Sequence, residues 1–132
     1  MPAPVEPPAN FAFLAKVHAR LHSYAIRAER LCLEDPGACL ARLRKLAEWV
    51  ACTLALELVG DRIGDLVVAL ERLKGVRGVE REMLVPLEWL RRHGNDVLHR
   101  HDVEPRVEGA IEGLQMAWRL CKAYARRVGL GE

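Results

Sequence analysis

Asp35-Pro36-Gly37-Ala38-Cys39-Leu40-Ala41-Arg42-Leu43-Arg44-Lys45-Leu46-Ala47-Glu48-Trp49-Val50-Ala51-Cys52-Thr53-Leu54 is the stretch that decides the fold. Leu40, Leu43, Ala47, Val50 and Leu54 recur three and four residues apart, which puts them on one side of a helix turning about 100° per residue. Asp35 is a good N-cap: its short carboxylate can accept from backbone N–H groups that the first turn leaves unpaired. Pro36 has the fixed φ of a first helical position and no N–H to lose. Gly60, beyond the run, suits the left-handed residue that often ends a helix.

Working outward, Glu34-Asp35-Pro36-Gly37 closes an earlier helix predicted over residues 11 to about 33. Its apolar face is Leu14, Val17, Leu21, Ala25, Ala28 and Leu31. On the other side, a third helix is predicted over 61–74 with Ile63, Leu66, Val67, Leu70 and Leu73 inward. After a loop at 75–78, a fourth runs to about residue 99, with Pro86 starting or kinking it. The fifth is predicted over 105–128, with the core stripe Val107, Ile111, Leu114, Trp118, Cys121, Ala125 and Val128. No segment alternates with the period of a strand. The expectation is an all-α, antiparallel bundle of about five helices, with helices one, two and five supplying most of the core. Residues 1–10 hold four prolines and read as a disordered or extended N-terminal arm, leaving 11–132 as a single helical-bundle domain.

With 51% hydrophobic and 29% charged residues in a chain of 132, a core and a solvated surface are both available. No apolar run approaches the roughly 18 residues of a membrane span. The opening MPAPVEPPAN lacks a signal-peptide pattern, so the cytoplasm is the expected location. A net charge of +2 does not by itself predict nucleic-acid binding. The basic clusters, Arg91–Arg92 and Arg119, Lys122, Arg126 and Arg127, read first as solvated surface. Cys32, Cys39, Cys52 and Cys121 form no CxxC; free thiols are expected, with Cys52 and Cys121 buried. His18 and His22 have a metal-compatible spacing, but neither HExxH nor Glu-x-x-His accompanies them, so no metal and no cofactor is expected. Trp49, Trp89 and Trp118 fall within predicted helices, and packing accounts for Trp118.

The segment with chemical interest is Leu87-Glu88-Trp89-Leu90-Arg91-Arg92-His93-Gly94-Asn95-Asp96-Val97-Leu98-His99. Leu87, Leu90, Gly94 and Leu98 lie on one side as a buried stripe. A glycine there costs about 1 kcal/mol against alanine, so its presence predicts a neighbouring helix at very close range. Arg92, Asn95 and His99 form a second, polar stripe, with Arg92 and His99 nearly in line and roughly 10 Å apart along the axis. Such a row suits an anionic ligand or the same row on a second subunit. It also suits cleavage of an RNA phosphodiester: arginine stabilises charge developing on the phosphate, an imidazole titrating near about 6.5 moves protons, and the amide orients the ring.

The chain resembles a helical domain of unknown function at the N-terminus of type I restriction-enzyme R subunits. The resemblance rests on Asn10-Phe11-Ala12-Phe13-Leu14, Ala28-Glu29-Arg30, Asp35-Pro36 with Ala38-Cys39, Leu46-Ala47-Glu48, and Arg92-His93-Gly94-Asn95 with His99, over about residues 10–128. That domain is grouped with the HEPN superfamily. The resemblance implies a HEPN-like bundle, frequent homodimerisation, and an Arg-x(4–6)-His motif that in active members makes a metal-independent endoribonuclease at the dimer interface. On this chain it implies Arg92, His99 and Asn95 as catalytic candidates, and Arg91, His93 and His101 as nucleic-acid contacts. It further implies a place in a prokaryotic defence or restriction-type system, with RNA, DNA or a partner protein bound. In the commonest active pattern an arginine directly precedes the asparagine; here that position is Gly94, and the arginine stands two residues earlier.

Overall fold

In the computed structural model, which describes residues 8–99 and 104–129, consecutive helices pack on one another around one long central helix. Five main helices follow in order: α1 (Ala19–Leu31), α2 (Pro36–Leu58), α3 (Leu66–Lys74), α4 (Arg81–His99) and α5 (Val107–Arg127). A single helical turn, Pro8–Phe11, and a 3-10 turn, Ala12–Lys16, precede them. Among the described residues there is no strand. The all-α bundle expected from periodicity is therefore what forms.

The central helix is α2, which touches each of the other four. Asp35 caps it as expected, its Oδ1 accepting from the Ala38 N–H at 3.1 Å, with Pro36 in the first turn. Gly60, at φ +82°, ends it, and its N–H reaches the Ala55 and Leu56 carbonyls. Leu43, Leu46, Ala47, Val50 and Leu54 are fully buried along it. Asp65 caps α3 in the same way, its Oδ1 3.0 Å from the Val68 N.

Four expectations change on folding. The first helix is interrupted: His18 is extended (φ −165°, ψ 130°) and becomes the N-cap of α1. Phe11, at the end of the first turn, and Leu14, in the 3-10 turn, are both buried in the core. The body also begins earlier than residue 11. Asn10 closes onto α1 through a 2.8 Å bond from its amide to Glu29 Oε2; residues 1–7 of the expected arm lie outside the described residues.

The third helix starts at Leu66 rather than near residue 61, so its register is set by the Asp65 cap; Leu66 and Ala69 turn inward, while Val67 is exposed. Pro86 lies inside α4, so it neither starts the helix nor donates to the Glu82 carbonyl one turn back.

The fourth change concerns α5. Its buried face is Ala110, Gly113, Ala117, Leu120, Cys121 and Tyr124, whereas Ile111, Trp118 and Val128 are exposed. Helix approach explains the rotation. A Cβ on Gly113 would stand 2.8 Å from Leu40 Cδ2 and 3.1 Å from Leu43 Cδ1, so only small side chains fit where α5 crosses α2.

Candidate functional site

Of the stripe expected on α4, Leu87, Leu90 and Gly94 are buried, and the Leu98 side chain lies outside the described residues. The close neighbour that Gly94 demands is Arg44 of α2. A Cβ at residue 94 would fall 2.6 Å from Arg44 Cβ and 2.9 Å from its Cδ. The arginine stem lies flat against the glycine, which carries its head to the next residue of α4. Arg44 Nε donates to Asn95 Oδ1 at 2.8 Å. Because Nε only donates, the amide oxygen must face it. On its other side the guanidinium lies 3.7 Å from Glu48, one turn along α2. Only 17% of the Arg44 side chain is exposed.

The polar stripe is thereby divided. Asn95 turns towards α2 and is held there. Arg92 stands away from the bundle with 64% of its side chain exposed, and its one ion-pair contact among the described residues is Glu88 Oε2 at 4.0 Å. His99 closes α4, but its side chain lies outside the described residues, as does all of His101.

Arg91 is half-buried. Its Nε donates to Glu88 Oε2 at 2.9 Å, and its terminal amino group makes a second bond to the same oxygen. Lys74 of α3 reaches the other carboxylate oxygen at 3.0 Å. Burial works to raise the Glu88 carboxyl, but the bonds and charges of Arg91 and Lys74 outweigh it and hold the group below the ordinary carboxylate range. Glu88 therefore stays ionised and keeps Arg91 in place against α4.

His93 stacks on Trp89 with ring centroids 3.7 Å apart and 14° between planes, and its Nδ1 lies 2.9 Å from the Trp89 carbonyl. A carbonyl only accepts, so in this contact Nδ1 carries a proton and donates.

His18 and His22 do not share a helix face. His18 lies outside α1, accepts from the Arg20 N–H at 3.1 Å, and packs on Trp49 with centroids 4.5 Å apart. Among the described residues no three His, Cys, Asp or Glu side chains gather to hold a metal ion, and no helix is long and apolar enough to cross a membrane. All four cysteines are free. Cys121 is buried as expected, whereas Cys52 is only half so; Cys32 and Cys39 are buried as well. Burial pushes the Cys39 thiol up to about 12 and raises that of Cys121 further.

Arg44 is the residue of this site that periodicity hides. It reads as one more charge on the outer face of α2, and the only trace of its role is the glycine it packs on, fifty residues away. Comparison with known proteins adds no relative: no family model, no curated protein and no solved structure matches the chain.

Proposed function

We propose that the chain is a HEPN-like accessory module of a prokaryotic defence or restriction-type system, that it binds nucleic acid through the basic side of α4, and that it acts as a homodimer. The observation that carries this reading is the 2.8 Å Arg44–Asn95 bond, which ties the amide to the bundle while Arg92 stays largely exposed, touching only Glu88 at 4.0 Å among the described residues. In a catalytic unit Asn95 must offer its amide to the imidazole or the reacting phosphate, and here its Oδ1 is already taken by Arg44 Nε. A binding surface needs only an exposed fork for phosphate oxygens, and Arg92 beside Arg91 supplies that. The metal-independent endoribonuclease, with Arg92, His99 and Asn95 acting together, is the competing reading, and Asn95's engagement with Arg44 counts against it.

The decisive experiment incubates the purified chain with single-stranded RNA in EDTA and measures binding and integrity together. The expected result is intact RNA, bound with an affinity that falls as salt rises and with a shallower salt slope in Arg92→Ala. RNA cleavage that is lost in both Arg92→Ala and His99→Ala replaces the binding module with the nuclease. Light scattering on the same sample is expected to give the mass of a dimer.

A further inference from the structure

The outer side of α4 and α5 carries a groove that starts at Arg92 and continues well beyond the Arg92 stripe. One cleft, of about 330 Å³, runs between the two helices from Arg81 and Val85 to Met116, Trp118 and Arg119. A second, of about 370 Å³, shares Arg81 and Val85 with it and extends past Trp89 to Arg92. The two clefts therefore join the candidate site to Trp118.

Charge along this track is far from the near-balance of the whole chain, which has 20 basic and 18 acidic residues. Lys74, Arg81, Arg92, Arg119, Lys122 and Arg126 line it, against Glu82 and Glu88. Glu88 is taken up by Lys74 and Arg91, and Glu82 lies 3.9 Å from Arg126. Arg81, Arg119 and Lys122 have no carboxylate partner among the described residues. The floor between them is apolar, with Val85 and Trp118 both more than 40% exposed. Trp118 is anchored, because its indole N–H donates to the Asn10 carbonyl at 3.0 Å. Lys122 Nζ sits 4.6 Å from the Phe13 ring centroid and 5.4 Å from that of Trp118. A fixed aromatic ring beside unpaired cations is the arrangement that takes a base on the ring and its phosphates on the cations.

We infer that single-stranded nucleic acid follows this groove, with a base stacked on Trp118 and the adjoining phosphates held by Arg81, Arg119 and Lys122. The inference rests on the nucleic-acid reading of the chain and adds the path. Clefts of this volume admit single bases and not a duplex. An acidic peptide would satisfy the cations but leave the exposed indole without a π-face to meet it.

The test is fluorescence anisotropy of labelled oligo(U) and oligo(dT) against the full chain, with labelled poly-glutamate as the protein-like control. Trp118→Ala is expected to weaken oligonucleotide binding about tenfold, with Trp118→Phe retaining most of it. Arg119→Glu is expected to weaken it and flatten the salt dependence. Melting curves report whether each variant is folded, and quenching of Trp fluorescence by oligo(U), diminished in Trp118→Phe, reads the stack in a variant that keeps its packing. Binding that survives Trp118→Ala and Arg119→Glu but falls in Arg92→Ala overturns the groove and leaves the nucleic-acid reading standing. Absence of binding to any oligonucleotide overturns both. Poly-glutamate bound as tightly as oligo(U) overturns the choice of nucleic acid.

Discussion

Replacing Gly94 by alanine sets two helix effects against each other, and the structure decides between them. In an isolated helix the change is favourable by about 1 kcal/mol, because glycine has more backbone freedom to lose. Here the new methyl would stand 2.6 Å from Arg44 Cβ, 2.9 Å from Cδ and 3.0 Å from Cγ. Comfortable carbon–carbon separation is about 3.5–4.0 Å, so α2 and α4 must part locally by about 1 Å. Overpacking of that kind costs about 1–3 kcal/mol, and loss of the Arg44–Asn95 bond adds about 1–2. The net expectation is a destabilisation of about 1–4 kcal/mol, each kcal/mol lowering Tm by about 3–5 °C for a chain of this length. Urea unfolding followed by circular dichroism measures it.

Two controls sharpen the result. Gly109→Ala has nothing within 4 Å of the new methyl and is expected to be neutral or to stabilise by up to about 1 kcal/mol. Arg44→Ala is not expected to rescue Gly94→Ala, because the nearest atom, Cβ, remains. A Gly94→Ala protein as stable as its parent would refute the close approach and, with it, the placement of Arg44 over α4.

Further outcomes follow from individual contacts. Asn95→Ala leaves the Arg44 Nε–H without its partner in a half-buried position and is expected to cost about 1–3 kcal/mol in the same unfolding assay; an unchanged midpoint would mean that the bond contributes nothing. Asp35→Ala and Asp65→Ala each remove an N-cap and are expected to cost about 1 kcal/mol, read as a shift in urea midpoint without a change in slope. Because the Glu88 carboxyl is held low in the folded state, the stability it contributes is present above its unfolded value of about 4.3 and is lost as pH falls through the lower folded value. Glu88→Gln is expected to flatten stability against pH in that acidic window, and an unaltered profile would contradict the assignment. The Cys39 thiol, pushed up to about 12, works in the opposite sense: its contribution is complete below about 8.5 and is lost as pH rises towards 12, a loss that Cys39→Ala is expected to remove from an alkaline melting series.

The features that the sequence determined alone are those set within one or two helical turns. Asp35, Pro36 and Gly60 bound α2 because capping and left-handed termination act on adjacent backbone groups, and α2 forms where they place it. Gly94 could be read as a point of close helix approach, since a buried mid-helix glycine has no other use. The identity of the partner could not. Arg44 and Asn95 lie 51 residues apart, and no local pattern pairs them.

The face of α5 was decided in the same way by tertiary structure. Hydropathy ranks positions by the cost of exposing them to water, and so picks Ile111 and Trp118. Close approach to α2 instead selects Gly113, where a Cβ would meet Leu40 and Leu43, and the face so fixed also buries Ala110 and Ala117. The large apolar groups were then turned outward, which is why a groove with Trp118 beside unpaired cations exists only in the folded chain.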